Sequence, residues 1–334
     1  MKAIVLSSFG SADNFAVADL PIPEVRKGEV RIKVRAVSFN PVDYQIRKGL
    51  PESSFARSMI LGRDLSGSVD AVSKNVTDFS VGDEVFGYVC NLASSGTYAE
   101  YVSVPAELVA RRPASLTHEQ AAAVPVAGIT ASIALSKAGA GKTKSVFVAG
   151  GAGGVGTFAT LLARQLGVAN LVTTAGNAKS RAYLIERCGL SDDQIVDYKE
   201  VGFIERAMRR NGGEFDVALD LVGGTMLSAC CALLAVDGNL ASVTEAPSRE
   251  DFEILFQKNA SFHSVGAHAY SLTEDRTTWR KYREILEQLS RHFVSGALPP
   301  PPVRILGRLS PEVVKQAHEL LESNAVQGKL VMTC

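Results

Sequence analysis

The segment Ser145-Val-Phe-Val-Ala-Gly-Gly-Ala-Gly-Gly-Val-Gly156 decides the fold. It begins as a continuous apolar run, which is typical of a buried strand, and it ends in a glycine-rich turn before the predicted helix Val155–Gly167. Gly151, Gly153 and Gly156 fit the spacing G-x-G-x-x-G of a phosphate-binding turn. In such a turn the first glycine permits the tight bend, the second lets the backbone approach a pyrophosphate, and the third lets the helix pack closely on the strand.

The start of the helix after this turn is suited to an anion. Its first N–H groups lack partners within the helix, and the helix dipole is positive at this end. A plain glycine-rich turn is the alternative, but the strand, the helix and the βα units that follow favour a dinucleotide site. The residues expected to hold the dinucleotide are Gly151, Ala152, Gly153, Gly154, Val155 and Gly156.

A capping box at Thr117-His118-Glu119-Gln120 opens an alanine-rich helix. From this point on, strands and helices alternate along the chain. The predicted strands are Ser145–Ala149, Leu171–Thr174, Ile195–Val196, Val217–Leu221, Leu240–Val243 and Phe262–Gly266. The predicted helices between them are Val155–Gly167, Ala178–Cys188 and Val201–Arg210. Because these strands are continuously apolar, we expect helices on both faces of a parallel, doubly wound sheet.

The first 120 residues have a different texture, with short β-branched runs between turn signals. The predicted strands here are Lys2–Leu6, Glu29–Val37, Gly67–Val72, Glu84–Tyr88 and Ala99–Val104. Regular short strands of this kind indicate a partly open β-barrel domain. The tail contains a predicted helix at Thr278–Phe293, another near Pro311–Ser323 and a strand at Lys329–Thr333. It is too short for a domain, so we assign residues 1–120 and 269–334 to the β domain and residues 121–268 to the nucleotide domain.

The segment after the second strand, Leu171–Thr174, predicts which dinucleotide is bound. NAD-binding enzymes place an Asp or Glu about 20 residues after the glycine turn, where it binds the ribose 2′-hydroxyl. No acidic residue lies between Gly156 and Glu186. Lys179 and Arg181 instead offer positive charge to a 2′-phosphate, although both also suit the solvated first turn of a helix. The sequence therefore favours NADPH.

Composition and charge exclude several classes of function. The 35 basic and 35 acidic residues cancel, so no general attraction draws the protein to nucleic acid or to an anionic membrane. The start MKAIVLSSFG has too few apolar residues for a secretory signal, and no apolar stretch reaches the ~20 residues of a membrane span. The five cysteines include no C-x-x-C pair. We expect a cytoplasmic protein whose partners are small molecules.

Motifs along the whole chain resemble one superfamily in their order and spacing. They are Asn40-Pro-Val-Asp43 with Ile46-Arg-Lys-Gly49, Gly62-Arg-Asp-Leu-Ser-Gly67, Val81-Gly-Asp-Glu-Val-Phe-Gly87, Gly96-Thr-Tyr-Ala-Glu-Tyr101, Ala127-Gly-Ile-Thr-Ala131, the glycine turn, Asp220-Leu-Val-Gly-Gly224 and Gln327-Gly-Lys-Leu-Val331. The chain resembles the medium-chain dehydrogenase/reductase superfamily, and within it the zinc-free quinone oxidoreductase-like branch. This resemblance implies an α/β protein with a GroES-like, partly open β-barrel domain and a Rossmann domain. It also implies hydride transfer from NADPH to a quinone or to an α,β-unsaturated carbonyl compound.

The resemblance also implies roles for individual residues. Asn40 is expected to approach the nicotinamide ribose and Thr130 the nicotinamide, and Lys179 and Tyr198 are expected to flank the adenosine phosphate end. Val243, at the end of a predicted strand, is assigned to the same cofactor site.

Tyr44 and Asn40 are the candidates for catalysis, on a segment expected to be a loop facing the nicotinamide. Their hydrogen-bond donors can stabilise negative charge that develops on the substrate oxygen. Some relatives have a tyrosine where this chain has Gln45, and the alternative is that Tyr44 only forms a wall of the pocket.

The sequence argues against a catalytic zinc, which needs three protein ligands and an open position. Where the zinc branch of the superfamily has a Cys and a His, this chain has Asn40 and Arg63, and Cys90 stands alone where that branch has a four-cysteine lobe. No metal site is therefore predicted. Arg63 and Asp64 are neighbours that suggest catalysis, but a structural ion pair is the favoured interpretation.

Other interpretations and an assembly follow from the same residues. The chain could instead be an NADPH-binding structural or regulatory protein with little turnover, or a zinc-independent alcohol dehydrogenase-like enzyme. Segments expected to line the substrate pocket are Gly49–Met59, Asn91–Gly96 and Ala246–Phe252. The strand Phe262–Gly266 is expected at an edge of the sheet, where pairing with a second copy would form a homodimer.

Overall fold

The computed structural model describes residues 1–56, 58–90, 95–273, 275–324 and 326–334. Residues 57 and 91–94, within two of the segments predicted to line a substrate pocket, lie outside the described residues. The chain divides into two units, one formed by Met1–Val126 with His268–Cys334 and the other by Ala127–Ala267. No helix of the described residues is both long enough and apolar enough to cross a membrane.

The helices and strands are numbered in chain order. The strands are β1 (Lys2–Leu6), β2 (Phe15–Asp19), β3 (Glu29–Ser38), β4 (Asp64–Val72), β5 (Glu84–Tyr88), β6 (Tyr101–Pro105), β7 (Val109–Arg111), β8 (Ser145–Ala149), β9 (Asn170–Ala175), β10 (Ile195–Asp197), β11 (Phe215–Asp220), β12 (Leu234–Ser242), β13 (Ser261–Ser264), β14 (Val303–Arg308) and β15 (Lys329–Thr333). The helices are α1 (Pro41–Lys48), α2 (His118–Ala122), α3 (Pro125–Lys137), α4 (Gly154–Leu166), α5 (Ala178–Cys188), α6 (Phe203–Asn211), α7 (Thr225–Leu233), α8 (Arg249–Gln257), α9 (Arg276–Val294) and α10 (Pro311–Glu322).

The first unit is built on a sheet that the tail of the chain completes. Its strand order is β14-β15-β3-β4-β5-β7, and β6 also pairs with β3. The C-terminal strand β15 runs antiparallel to β3, with Val331 opposite Ser38, and parallel to β14. A separate ribbon of β1 and β2 packs its apolar residues, including Ile4 and Phe15, into the same core as Leu330 and Met332. The tail was predicted to return to the β domain, and β15 lies in the sheet of this unit.

The segment after Asn40 is a helix, so the prediction of a loop there is wrong. Asn40 has an extended backbone at the N-cap of α1, Pro41 occupies the first helical position, and the Asp43 carboxylate accepts a hydrogen bond from the Asn40 N–H (2.8 Å). Each of these is a recognised signal for the start of a helix. The helix ends at Gly49, which has the left-handed φ of 76° that favours glycine. The tyrosine at position 44 therefore lies on the first turns of a helix.

The second unit is the predicted doubly wound sheet. Its six strands have the order β10-β9-β8-β11-β12-β13 and pair in parallel throughout. The strand order reverses between β8 and β11, and ligands of such sheets bind at this point, outside the carboxyl ends of the strands. The glycine turn follows β8 directly, so the chain places it at this position.

Other differences from the sequence-based expectations are local. The strands β2, β7 and β14 were not expected, because they are short or follow proline-rich or polar segments without a clear alternating pattern. The alanine-rich helix is interrupted before Pro125, since the residue before a proline disfavours helical geometry. The edge strand β13 is Ser261–Ser264, so the predicted strand Phe262–Gly266 began one residue too late and ended two residues too late.

Candidate functional site

The glycine turn between β8 and α4 leaves no room for side chains at two of its three motif positions. A Cβ at Gly156 would lie 2.1 Å from the Gly150 carbonyl oxygen, and one at Gly151 would lie 2.1 Å from Thr173 Oγ1. The left-handed conformation falls on Gly150, with φ of 80°, rather than on Gly151. The turn therefore needs Gly150 for its bend and Gly151 for its contact with β9, which corrects the role expected for Gly151.

Gly153 differs from the other two glycines because a Cβ there would meet only the Gly150 oxygen, at 3.5 Å. It is the N-cap of α4, and no side chain caps this helix. The N–H groups of the first turn, which begins Gly154-Val155-Gly156, are thus left to an external acceptor. The backbone conformation is held from β9, where Thr174 Oγ1 accepts a hydrogen bond from the Gly150 N–H (2.9 Å). This geometry fits a bound phosphate group.

The residues predicted for the adenosine end lie together after β9 and β10. Lys179 is exposed in the first turn of α5, and the ring of Tyr198 covers Gly176, where a Cβ would be 2.5 Å from the ring. Arg181 is already paired, since its guanidinium binds Asp192 (Nε to Oδ1, 2.6 Å). That hydrogen bond holds the pKa of the Asp192 carboxyl below its usual value. Of the two predicted cations, Lys179 is the one that extends into solvent.

The carboxyl end of β11 carries a buried carboxylate that the sequence prediction missed. Asp220 accepts hydrogen bonds from the Gly223 N–H (2.9 Å), Ser242 Oγ (2.8 Å) and Thr244 Oγ1 (2.7 Å). Its main-chain oxygen accepts from the N–H of Val243 (3.1 Å), which follows β12 and was predicted to contact the cofactor. Asp220 therefore fixes the loop that contains Val243.

Thr130, which was predicted to lie near the nicotinamide, is almost fully buried on α3.

In the first unit, Asn40 belongs to a buried polar cluster. Its Nδ2 donates to Asp64 Oδ2 (2.9 Å), and its Oδ1 accepts from Lys329 Nζ (2.5 Å). Asp64 also accepts from Ser38 Oγ (2.7 Å) and forms a salt bridge with Lys329 (3.2 Å). Asn40 is only 3% exposed. The cluster consists of Ser38, Asn40, Asp64 and Lys329, and it joins β3, β4 and β15 to the start of α1.

Arg63 and Asp64 have different partners, so the expected ion pair between them is replaced by two other contacts. Arg63 donates from Nη1 to the Tyr88 hydroxyl (3.1 Å), whereas Asp64 pairs with Lys329. Successive residues of a strand point to opposite faces of a sheet, and this separates Asp64, the first residue of β4, from its neighbour. Burial raises the pKa of the Tyr88 hydroxyl to about 12, so Tyr88 stays a neutral donor and acceptor at physiological pH.

Two further buried groups lie beneath α1. The Tyr98 hydroxyl donates to Asp43 Oδ2 (3.1 Å) and lies 3.3 Å from His318 Nε2. Burial raises the pKa of the Asp43 carboxyl to about 6, and burial lowers the pKa of His318 to about 3. His318 is therefore neutral near pH 7, which suits a structural contact. Tyr44 is half-buried on the same helix, with Lys48 Nζ 5.6 Å from the centre of its ring.

The sequence prediction missed Lys329 as a site residue, although it stands in the motif Gln327-Gly-Lys-Leu-Val331. The signal that could have found it is a lysine that begins an apolar strand, because a buried ammonium needs an anionic partner. Within the described ranges, no group of three or more His, Cys, Asp or Glu side chains is arranged to hold a metal ion. The prediction of metal-free activity stays open to experiment.

Comparisons with known proteins cover both units. The alcohol dehydrogenase GroES-like domain family matches residues 26–114, and the zinc-binding dehydrogenase family matches residues 190–332. A zinc-type alcohol dehydrogenase-like protein of Staphylococcus aureus (strain MSSA476) is 30% identical over 337 residues, covering 95% of this chain and 94% of that protein. The 2-methylene-furan-3-one reductase of Solanum lycopersicum is 28% identical over 340 residues, covering 99% of this chain and 79% of the reductase.

Solved structures are similar over the full length. The quinone oxidoreductase from Coxiella burnetii has a TM-score of 0.84 at 30% identity and covers 100% of this chain and 99% of its own. A mycobacterial protein complexed with NADPH has a TM-score of 0.84 at 29% identity and covers 100% of both chains. The GroES-like match confirms the fold expected for the first unit. The chain therefore belongs to the medium-chain dehydrogenase/reductase superfamily of oxidoreductases, with a GroES-like domain and a Rossmann-type domain.

Proposed function

We propose that this oxidoreductase uses NADPH to reduce a quinone or an α,β-unsaturated carbonyl compound, and that it does so without a metal. The observation that carries the proposal is the uncapped N-terminus of α4 behind Gly153, in a turn that tolerates no side chain at Gly151 or Gly156. A helix start of this kind binds a pyrophosphate with its backbone N–H groups. The residues present therefore fit a dinucleotide.

The preference for NADPH is supported by charge at the end of β9. The stretch from Gly156 to Glu186 contains no carboxylate that could repel a 2′-phosphate, and Lys179 is exposed there. Asp197 ends β10 opposite Ala175 in the sheet register, so one carboxylate does lie on the neighbouring strand. The nearby Arg181 is bound to Asp192, which leaves the binding of a phosphate to Lys179.

Bound NADPH supplies the hydride in this proposal, and the side chains of the chain position the substrate. As hydride reaches the substrate, negative charge develops on the substrate oxygen, and a preorganised donor stabilises it. The Tyr44 hydroxyl on α1 is our candidate donor, and Asn40 at the N-cap of the same helix is our candidate for holding the nicotinamide ribose. Asn91 to Ser94 are outside the described residues, so the substrate class rests on the relatives.

Two relatives support the substrate class. The Coxiella burnetii structure is that of a quinone oxidoreductase, and the tomato protein is a 2-methylene-furan-3-one reductase. We transfer both substrate types to this chain as one proposal, because each presents a carbonyl conjugated with a double bond. We also propose a cytoplasmic location.

We also propose a homodimer that pairs β13 with its copy, since β13 is the last strand of its sheet. Beside it lies an apolar groove of about 560 Å³, lined by Phe252, Phe256 and Phe262 among others. Phe256 is 88% exposed. Exposed edge strands and large apolar patches are both features that a partner normally covers. The Val265 N–H is not available for this pairing, because it donates to the main-chain oxygen of Ser242 (2.8 Å) within the same subunit.

The proposed reaction can be tested by NADPH oxidation with a quinone, an enal, an enone and an enoyl-CoA. We expect turnover with at least one of these compounds, and we expect a zinc chelator to leave it intact because Asn40 and Arg63 replace two zinc ligands. Tightly bound zinc whose removal abolishes activity would contradict the proposal. NADPH binding without turnover would favour a binding protein, and oxidation of an alcohol with NADP⁺ would favour an alcohol dehydrogenase-like enzyme.

The glycine turn predicts different effects for two alanine substitutions. Gly153→Ala should preserve thermal stability, because its Cβ meets only one atom at 3.5 Å, but it should weaken NADPH binding by filling the cradle. Gly156→Ala should lower the melting temperature as well, because its Cβ would clash with the Gly150 oxygen at 2.1 Å. Thermal unfolding and fluorescence titration measure the two effects. Unchanged NADPH affinity in Gly153→Ala would place the phosphate elsewhere.

Lys179→Ala should weaken NADPH binding by ~1–3 kcal/mol, the range of one charge-assisted hydrogen bond, and leave NADH binding nearly unchanged. Lys142→Ala is the matched control, since Lys142 is also exposed but precedes β8 at the opposite end of the strand. Calorimetric titration of both cofactors gives the comparison. NADH binding as tight as NADPH binding in the wild type would reject the preference itself.

Phe256→Glu should shift the proposed dimer toward monomer, because it places a charge in the groove beside β13. Val81→Glu is the control, since Val81 is exposed in a turn of the other unit. Light scattering at micromolar concentration measures the mass of each variant. A monomeric wild type, or a dimer unaffected by Phe256→Glu, would show that this groove is not the dimer contact.

A further inference from the structure

We propose that Lys329 and Asp64 are positioning residues that lock the side-chain amide of Asn40, so that it offers one N–H donor and no acceptor to the nicotinamide ribose. The proposal rests on the proposed function, because it assigns how Asn40 meets the cofactor. None of the three residues is more than 5% exposed. Neither Lys329 nor Asp64 is proposed to touch the cofactor.

The two charged groups hold opposite ends of the amide. Lys329 Nζ lies 2.5 Å from Asn40 Oδ1, and Asp64 Oδ2 lies 2.9 Å from Asn40 Nδ2. An ammonium group can only donate hydrogen bonds, whereas a carboxylate can only accept them. Rotating the amide by 180° would bring NH₂ against the ammonium and oxygen against the carboxylate. The two charges therefore permit a single orientation of the amide.

Both charged groups are themselves held in place. Lys329 Nζ also donates to the main-chain oxygen of Phe39 (3.0 Å) and forms a salt bridge with Asp64 (3.2 Å). Asp64 Oδ2 accepts from Ser38 Oγ (2.7 Å), and Oδ1 accepts from the Val126 N–H (2.8 Å) in the first turn of α3. Neither group can turn away from Asn40 without leaving a buried charge unpaired, which is costly.

The orientation determines what Asn40 can still do. Its oxygen accepts from Lys329 and faces the Asp43 N–H in the capping box of α1, which together use its two lone pairs. Among the described residues its Nδ2 donates to Asp64 alone. A primary amide carries two N–H bonds, so one donor remains. The hydrogen bond from the ammonium withdraws electron density from the amide oxygen and strengthens that remaining donor. Asn40 therefore recognises a lone pair, such as that of a ribose hydroxyl oxygen.

A thermodynamic cycle of Lys329→Met and Asn40→Ala tests this role through two ligands. NADPH contains the nicotinamide ribose, whereas 2′,5′-ADP lacks it. We expect Lys329→Met to raise the Kd of NADPH roughly tenfold, the effect of one hydrogen bond, and to leave the Kd of 2′,5′-ADP unchanged. In the Asn40→Ala background, Lys329→Met should have no further effect on either ligand, because the amide it positions is gone.

The control for general damage is Lys258→Met. Lys258 Nζ also binds one carboxylate, that of Glu214 (2.9 Å), and main-chain oxygens, such as that of Ala232 (2.7 Å). Lys258 precedes β13, at the edge of the second unit's sheet, whereas the glycine turn follows β8, three strands away in the sheet order. It should lower thermal stability without changing the ratio of the two Kd values. Equal changes of that ratio in both lysine variants, or additive effects in the cycle, would overturn the positioning role.

A measurement on the wild type serves if Lys329→Met does not fold. In protein labelled with ¹⁵N at asparagine, the two side-chain N–H resonances of Asn40 should be distinct. NADPH should shift one of them strongly, and 2′,5′-ADP should shift neither. Unshifted resonances in protein that binds NADPH would overturn this inference alone. Wild-type protein that binds NADPH no better than 2′,5′-ADP would reject the proposed function together with the inference.

Discussion

The GroES-like unit depends on the hydrogen bonds of one buried carboxylate, that of Asp64. It receives hydrogen bonds from Ser38 on β3, from Asn40 at the start of α1, from the Val126 N–H in α3 and from Lys329 on β15. These groups come from distant parts of the sequence. An unpaired carboxylate in this interior would carry a large desolvation cost, so all of the donors must be present together. The interaction thus sets the register of β15 and the direction of α1 at once.

The Rossmann-type unit uses the same device at its own functional edge. Asp220, at the end of β11, gathers the Gly223 N–H and the hydroxyls of Ser242 and Thr244. The glycine turn is held in a comparable way by Thr174, from the neighbouring strand β9. In both units, a buried carboxylate at a strand end accepts hydrogen bonds from separate segments of the chain. The loops at this edge of the Rossmann-type sheet are therefore held by side chains at the ends of its strands.

Local patterns predicted the strands of the second unit and the helices α4, α5 and α6, because each parallel strand is a continuous apolar run and these helices lie between the strands. The sequence also predicted the glycine turn as a phosphate-binding turn, although the bend itself falls on Gly150. The polar contacts of the first unit could not be predicted from the sequence, because they join residues that are far apart along the chain. Lys329 reaches Phe39 across a separation of 290 residues, and neither neighbourhood indicates the other. Asn40 was identified from the resemblance, but its partners came only from the structure.

The helix α1 shows the opposite case, in which local signals were present and were overlooked. Asn40, Pro41 and Asp43 together mark a helix start, and Gly49 marks its end. The pattern was obscured because the helix is short and follows the long strand β3. The ion pair of Arg181 was not predicted for a different reason, since its partner Asp192 lies beyond the end of its own helix. Charge on a helix surface can be read from sequence, whereas its partner cannot.

The position of β15 between β14 and β3 has a consequence for how the chain folds during synthesis. The residues of the Rossmann-type unit are contiguous, so that unit can fold as soon as it leaves the ribosome. The GroES-like unit must wait, with Ser38 and Asp64 lacking Lys329, until β15 is made. During that interval residues Ala36 to Ser38 of β3 lack the strand that pairs with them and are open to other chains. The strand that completes the sheet of the first unit is thus made only after the whole Rossmann-type unit.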